Sequence, residues 1–566
     1  MTTPANQPGT PTPEKVAAPQ TGAPAGAKGG RYESSAPLPR SQAEKKTRKR
    51  RRPTSTATAS TTQSKPKTRA LLSRDRPMAW LVLALLLAIG AIPIYTYLGA
   101  DHVLNGTQTR VRALAEETWH HRHMMYRGEV TMESLVPISQ GQPLLDQPPG
   151  TVWLNQFMLE SLDPLTATSD EITYQLRLLS AGFGLLTIAA VFWAGFSIGG
   201  LTTASLSSLT LLACPVLVYF SRQGTNDMPL LGLQTLGVAA ALWALRPLRP
   251  SPSLPRQAIG WAVSGGALGA VVLAGGLPAV PAVLLPILVI TVMCPNRISH
   301  LLGLLAAVFI AGLMVMPWAM YVHNQDTHIW ETWISGLWPK SLESFTTFGS
   351  AVYNRGLWVL VLMLPWTFWL LGSIAQPYSA SSSGVRRRVF IGWAWLLCVS
   401  LLAATGPGEG GPTGMLIVLP AACVLIGQCL RLYSDRSAEG RHARIWRHVR
   451  WAHLLFCIAV SITLPAGMYF QDALIQRGIL TRPIVAEMPW FFWLGLGISL
   501  MLIAMLSIRY AWRHYPGRAA VCWSVWSVVL MSVMLIPLTR GPLMNPTALP
   551  LDQEPPDQVV TIRDGL

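Results

Sequence analysis

The chain has 566 residues, of which 51% are hydrophobic and only 13% charged. That much apolar surface exceeds what a soluble fold can hide, and it falls in long uninterrupted runs, so a soluble globular protein is excluded and lipid is the solvent for most of the chain. The net charge of +17 is unevenly spread: residues 1–77 hold 16 Lys and Arg against 4 Asp and Glu, leaving +12 on this tail and +5 on everything after it.

The tail is rich in Pro, Thr, Ser, Ala and Gly and contains Lys45-Lys46-Thr47-Arg48-Lys49-Arg50-Arg51-Arg52. It lacks the apolar area needed to fold and is expected to be disordered and cytoplasmic. Next to a hydrophobic helix, a basic run fixes topology and touches anionic lipid headgroups; nucleic acid is not the expected partner. With no cleavable leader ahead of it, the first apolar run is expected to remain as a signal anchor.

Apolar runs of near-spanning length follow at 78–98, 178–198, 201–219, 228–245, 259–277, 279–293, 301–321, 357–375, 389–404, 415–430, 451–469, 490–508 and 519–538. Against a yardstick of about 20 apolar residues per span, they predict an all-α polytopic membrane protein of about thirteen transmembrane helices. The seven cysteines sit in or beside these runs without a CxxC pair, and read as small core residues, not as a disulfide framework or zinc site.

Short cytoplasmic loops collect Lys and Arg, which tests the register. With the N-terminus inside, the cytoplasmic loops after the tail hold sixteen arginines, from Arg246 to Arg518. The outer loops beyond the first hold five cations: Arg222, Lys340, Arg355, Arg477 and Arg482. The expected localisation is therefore the inner cell membrane, multi-pass, with the C-terminal segment 539–566 outside.

Two outer segments, 99–177 and 322–356, are too long to be simple connectors. The first has amphipathic stretches at 110–125 and 152–162 that suit juxtamembrane helices on the outer face. It contains Glu116-Glu117-Thr118-Trp119-His120-His121-Arg122-His123 and, further on, Pro137, Gly141 and Asp146-Gln147-Pro148-Pro149 with Trp153. After the third run comes Ser221-Arg222-Gln223-Gly224-Thr225-Asn226-Asp227, which places Asp227 at the mouth of the fourth. An acidic group at a membrane edge is costly, which makes it a functional candidate. The competing reading is a helix N-cap.

In this order and sidedness, Pro137, Gly141, Pro148-Pro149 with Trp153, Arg177-Leu178 and Asp227 resemble the GT-C superfamily of polyprenyl-phosphate-sugar-dependent glycosyltransferases. The similar branch is bacterial and includes the aminoarabinose transferases and protein O-mannosyltransferase-like enzymes. The resemblance covers 78–245 in motifs and the remainder in hydropathy. It implies a catalytic-type module at 78–245, further transmembrane helices at 246–538, and direct displacement with inversion. The donor implied is a polyprenyl-phosphate-linked sugar, and the acceptor a lipid, a glycan or a protein. Two departures stand. The family's leading acidic pair falls either on Glu116-Glu117 or on Thr107-Gln108, and the family's Lys before Pro-Pro is replaced by Gln147.

Such chemistry needs a carboxylate to take the acceptor's proton and donors to stabilise the departing phosphate. Asp227, Glu117 and Glu116 are the catalytic candidates; Arg222, His120, His121 and Gln147 are the candidates for the lipid phosphate. Each has a plainer reading: Glu116-Glu117 as a solvated helix face, Arg222 as a helix-end anchor, and the histidines, spaced i, i+1, i+3, as an interfacial polar face. No metal site is assigned and no cofactor is named, with a divalent cation left open. Trp330, Trp333 and Trp338 read as an aromatic belt or as a stacking surface for sugar. Besides a glycosyltransferase, the sequence admits a non-catalytic relative that binds lipid-linked sugar or assists envelope assembly. A transporter ranks last, because there is no internal repeat.

Overall fold

A computed structural model describes residues 68–96, 98–99, 106–126, 131, 133–245, 253–335, 345–379, 383–405, 412–436, 443–477, 490–512 and 515–538. The basic tail before Thr68 and the segment 539–566 lie outside the described residues, as does Trp338.

α1 (Thr68–Tyr95) is followed by a small layer made of α2 (Gly106–Tyr126), the two-residue strands β1 (Ile138–Ser139) and β2 (Gln142–Pro143), and α3 (Gly150–Leu159). α4 (Ser169–Gly199) starts nine residues before the apolar run does. Its N-cap Thr168 and Glu171 form a reciprocal capping box that satisfies the first backbone donors. α5 (Leu201–Leu212) and α6 (Pro215–Ser221) are one apolar run broken by a 67° bend. Pro215 lacks the N–H a continuous helix needs and forces Cys214 into an extended conformation.

α7 (Asp227–Leu245), α8 (Leu254–Gly275), α9 (Pro281–Met293) and α10 (Arg297–Gln325) come next, then the short α11 (Ile329–Ser335). α12 (Phe345–Leu362) and the stretch Thr367–Tyr378, which begins with α13 (Thr367–Gly372), form a second bent pair, at 117°. The rest is α14 (Gln376–Ser379), α15 (Ser383–Thr405), α16 (Val418–Arg436), α17 (Ala443–Tyr469), α18 (Gln471–Gln476), α19 (Trp490–Trp512) and α20 (Pro516–Leu538).

Each of the thirteen apolar runs falls on a helix or a bent pair. Among the described residues, eight helices are long and apolar enough to cross a membrane, ten if each bent pair is one span, and three further apolar helices are shorter. Small residues bring the helices into backbone contact, as membrane packing favours. A Cβ on Gly427 would lie 2.7 Å from the Ser207 nitrogen, and one on Gly265 would lie 2.6 Å from the Ala307 carbonyl oxygen. The main core runs through α4, α5, α7 and α16, and the cysteines are free thiols, six of them buried.

Candidate functional site

The site is built on the layer between α1 and α4. α2 buries Gln108, Ala115, Thr118, Trp119 and Arg122, a helical period that presents one face inward. Ala115 and Trp119 pack on Leu159, Ile172 and Leu176, which fixes α2 against α3 and the start of α4. At the far end, Arg122 pairs with Glu160 just beyond α3, and His123 lies 4.0 Å from the same carboxylate.

The β1–β2 hairpin is clamped to α2 by two side chains. The Thr118 hydroxyl accepts the Ile138 N–H at 3.0 Å. The two Glu117 oxygens accept the backbone N–H groups of Gln140 and Gly141 at 3.0 and 2.7 Å. Both turn residues have positive φ, 53° and 73°, the twist a tight hairpin requires. Glu116 faces its own helix, 3.4 Å from Arg112 and 4.0 Å from His120. The His120 ring lies against Trp119, and the His121 ring 6.0 Å from Tyr126.

The structure also bears on the two registers of the acidic pair. α2 opens at Gly106, so Thr107-Gln108 lead the helix, with no carboxylate in its first turn, while Glu116-Glu117 sit in its middle.

After the hairpin, Asp146-Gln147-Pro148-Pro149 runs into α3 at Gly150. A Cβ on Gly150 would lie 2.7 Å from the carbonyl carbon and oxygen of Leu273, so α3 enters directly on the end of α8. There a cavity of about 240 Å³ opens, walled by Pro148, Pro149, Leu273, Gly276, Trp318 and Trp333, with Asp146 exposed at its edge. Trp318 meets Trp153 edge-on at 5.4 Å and stacks on Tyr321 at 5.9 Å. Gln147 is half-buried beside it.

Asp227 is the first residue of α7, half-buried, with its carboxylate beside Thr225. One turn on, Leu230 packs on Gly275, so the mouth of α7 adjoins the α8 end that walls the cavity. The loop leading to Asp227 is held on both sides. The Ser180 hydroxyl donates to the Thr225 carbonyl at 3.2 Å, and Gly224 packs against Leu176. Arg222 is buried and donates through Nη1 to the carbonyls of Pro93, Ile94 and Thr96, at 3.1, 3.3 and 2.5 Å.

The structure thus gathers Asp146, Gln147 and the mouth of α7 around the end of α8. It ties Arg222 to the end of α1, and Glu117 to the hairpin. Among the described residues, no group of three His, Cys, Asp or Glu side chains is placed to hold a metal ion. Sequence reasoning passed over Asp146 as a site residue; its one signal was its position directly before Gln147-Pro148-Pro149.

The chain superposes on ArnT from Cupriavidus metallidurans bound to undecaprenyl phosphate with a TM-score of 0.56, at 18% identity over 81% of this chain and 78% of that one. The fold is that of this ArnT. The apo form of the same ArnT gives a TM-score of 0.54 over the same shares. In sequence, the chain is 23% identical over 353 residues to the undecaprenyl phosphate-alpha-4-amino-4-deoxy-L-arabinose arabinosyl transferase of Pectobacterium carotovorum subsp. carotovorum (strain PC1). That match spans 61% of this chain and 58% of the length of the curated relative. No family model matches. Fold and apolar helices together make the chain an integral, multi-pass membrane protein.

Proposed function

We propose that this chain is a membrane glycosyltransferase that takes a sugar from a polyprenyl phosphate and passes it to a lipid, glycan or protein acceptor on the face carrying residues 99–177. The observation that carries the reading is the superposition, over four-fifths of the chain, on a structure holding undecaprenyl phosphate. The cavity between Pro148-Pro149 and the α10–α11 tryptophans supports it, being an apolar slot with polar residues at its edge, as an isoprenoid phosphate requires.

In this reading the Asp227 carboxylate takes the proton of the acceptor hydroxyl or amine. The freed lone pair forms the bond to the anomeric carbon while the bond from that carbon to the phosphate oxygen breaks. The polyprenyl phosphate leaves with the bonding electrons, and the anomeric configuration inverts. Gln147 donates a hydrogen bond to the leaving phosphate, and His120 and His121 supply polar contacts at headgroup level. Glu116, Glu117 and Arg222 belong to the same assembly, and their observed contacts support positioning roles. All thirteen apolar runs are read as spans, with the N-terminus cytoplasmic, the C-terminus outside, and the basic tail on anionic headgroups.

A second reading, a non-catalytic binder of lipid-linked sugar, is favoured by the absence of a carboxylate in the first turn of α2. The test is transfer of radiolabelled sugar from membrane polyprenyl-phosphate donors to extractable acceptors, comparing wild type with Asp227→Asn at matched expression. Asn is nearly isosteric with Asp, so the fold should persist while transfer falls roughly 10²–10⁴-fold, the usual worth of a general base. Donor binding without transfer by wild type, across a broad donor panel, would establish the second reading instead.

A further inference from the structure

A second cavity lies apart from the site. α17, α19 and α20 pack through Cys457, Trp493, Leu500 and Trp526, and the Trp526 indole N–H donates to the Ser461 hydroxyl at 2.9 Å. α17 and α19 also line a groove of about 500 Å³. Its floor is Gly497 against Pro465: a Cβ on Gly497 would lie 3.4 Å from the Ser461 carbonyl oxygen and 3.7 Å from Pro465. Its walls include Ile462, Leu494 and Ile498, each more than half exposed, and at one end stand Tyr469, Phe470 and Trp490, also more than half exposed.

From Ser461 to Phe470 the groove follows α17 for about 14 Å at helical rise, close to half of a hydrocarbon core of about 30 Å. Aromatic rings gather at its open end, where the chain leaves α17, as they do at headgroup level. We propose that this groove is a binding site for one acyl chain of a phospholipid in the leaflet that holds the α17–α19 connection. The chain lies on Gly497 and Pro465, and the aromatic end marks where its glycerol begins. In a membrane no water competes for such a surface, so selection comes from dispersion contacts that a concave wall supplies and a convex helix face does not. The site depends on membrane embedding and not on the transferase reading.

The experiment uses the full chain in nanodiscs with a phosphatidylcholine carrying a mid-chain diazirine, followed by peptide mapping after photolysis. Adducts on 461–470 and 490–501 should exceed those on the equally exposed face of α10, around Leu305, Phe309 and Leu313, by at least about threefold. Gly497→Phe, which fills the floor, should abolish the excess, and Gly497→Ala, which meets only ordinary contacts, should keep it. Where Gly497→Phe lowers folded yield, Ile498→Trp at the wall gives the same readout. Even labelling of both surfaces means annular lipid only and overturns the proposal. So does an excess that Gly497→Phe leaves unchanged, or an absence of adducts on 461–470 and 490–501.

Discussion

The Glu117 carboxylate receives the Gly141 backbone N–H at 2.7 Å across twenty-four residues of chain, while its second oxygen takes the N–H of Gln140. A carboxylate is thereby committed to holding a turn whose two residues both have positive φ. Glu117→Gln keeps one acceptor oxygen and Glu117→Ala none. Hydrogen bonds to a charged acceptor contribute about 1.5–3 kcal/mol each, less where water reaches them. Amide exchange at Gln140 and Gly141 should therefore accelerate about tenfold in Glu117→Ala and less in Glu117→Gln. Unchanged exchange in both would free Glu117 for chemistry.

Arg222 discriminates between two roles. Its guanidinium holds the carbonyls of Pro93, Ile94 and Thr96 at the end of α1. Buried acceptors left without donors cost about 1–3 kcal/mol, and an ammonium cannot reproduce the planar fork. Arg222→Met should lower the melting temperature in detergent by several degrees, and Arg222→Lys should recover only part of the loss. If stability instead holds and the apparent affinity for polyprenyl phosphate falls, Arg222 faces the phosphate.

Gly150 is where α3 meets the end of α8. A methyl there would lie 2.7 Å from backbone atoms of Leu273, which cannot swing aside as a side chain can. Gly150→Ala should cost about 1–3 kcal/mol, as overpacking does. Because Pro148 and Pro149 wall the cavity, the same change should weaken binding of a polyprenyl phosphate. A melting temperature equal to that of wild type would show that the two helices part freely.

The membrane helices were legible in the sequence because long apolar runs leave the backbone no alternative to helix in lipid. Their breaks were less so: Pro215 stands inside the run 201–219 and Pro365 inside 357–375, and both runs bend sharply, at 67° and 117°. The early start of α4 was written in Thr168 and Glu171, three residues apart. The site was harder. That Glu117 holds a hairpin depends on residues 138–143 folding back over α2, a long-range fact that no local pattern encodes. Asp146 gains its place only when α8, α10 and α11, more than a hundred residues on, complete the cavity. Arg222 looked like a phosphate ligand or a helix anchor on charge alone. Only the geometry reveals three carbonyls within its reach.

Gln147 is where the chain departs from the Lys-Pro-Pro pattern, and it stands half-buried beside a cavity whose charged lining residue, among those described, is Asp146. A neutral amide donates to a phosphate more weakly than an ammonium does, since charge-assisted hydrogen bonds are roughly twice as strong as neutral ones. Gln147→Lys should therefore tighten binding of undecaprenyl phosphate by a margin of about 1 kcal/mol, close to fivefold, and the gain should shrink as salt is raised. Quenching of tryptophan fluorescence on titration with the lipid reads it directly, because Trp318 and Trp333 wall the cavity. Asp146→Asn in the same background separates the terms: removing the neighbouring carboxylate should tighten binding further if the phosphate sits at this edge. If neither substitution moves the affinity, the phosphate lies elsewhere, and the cavity holds only the isoprenoid chain.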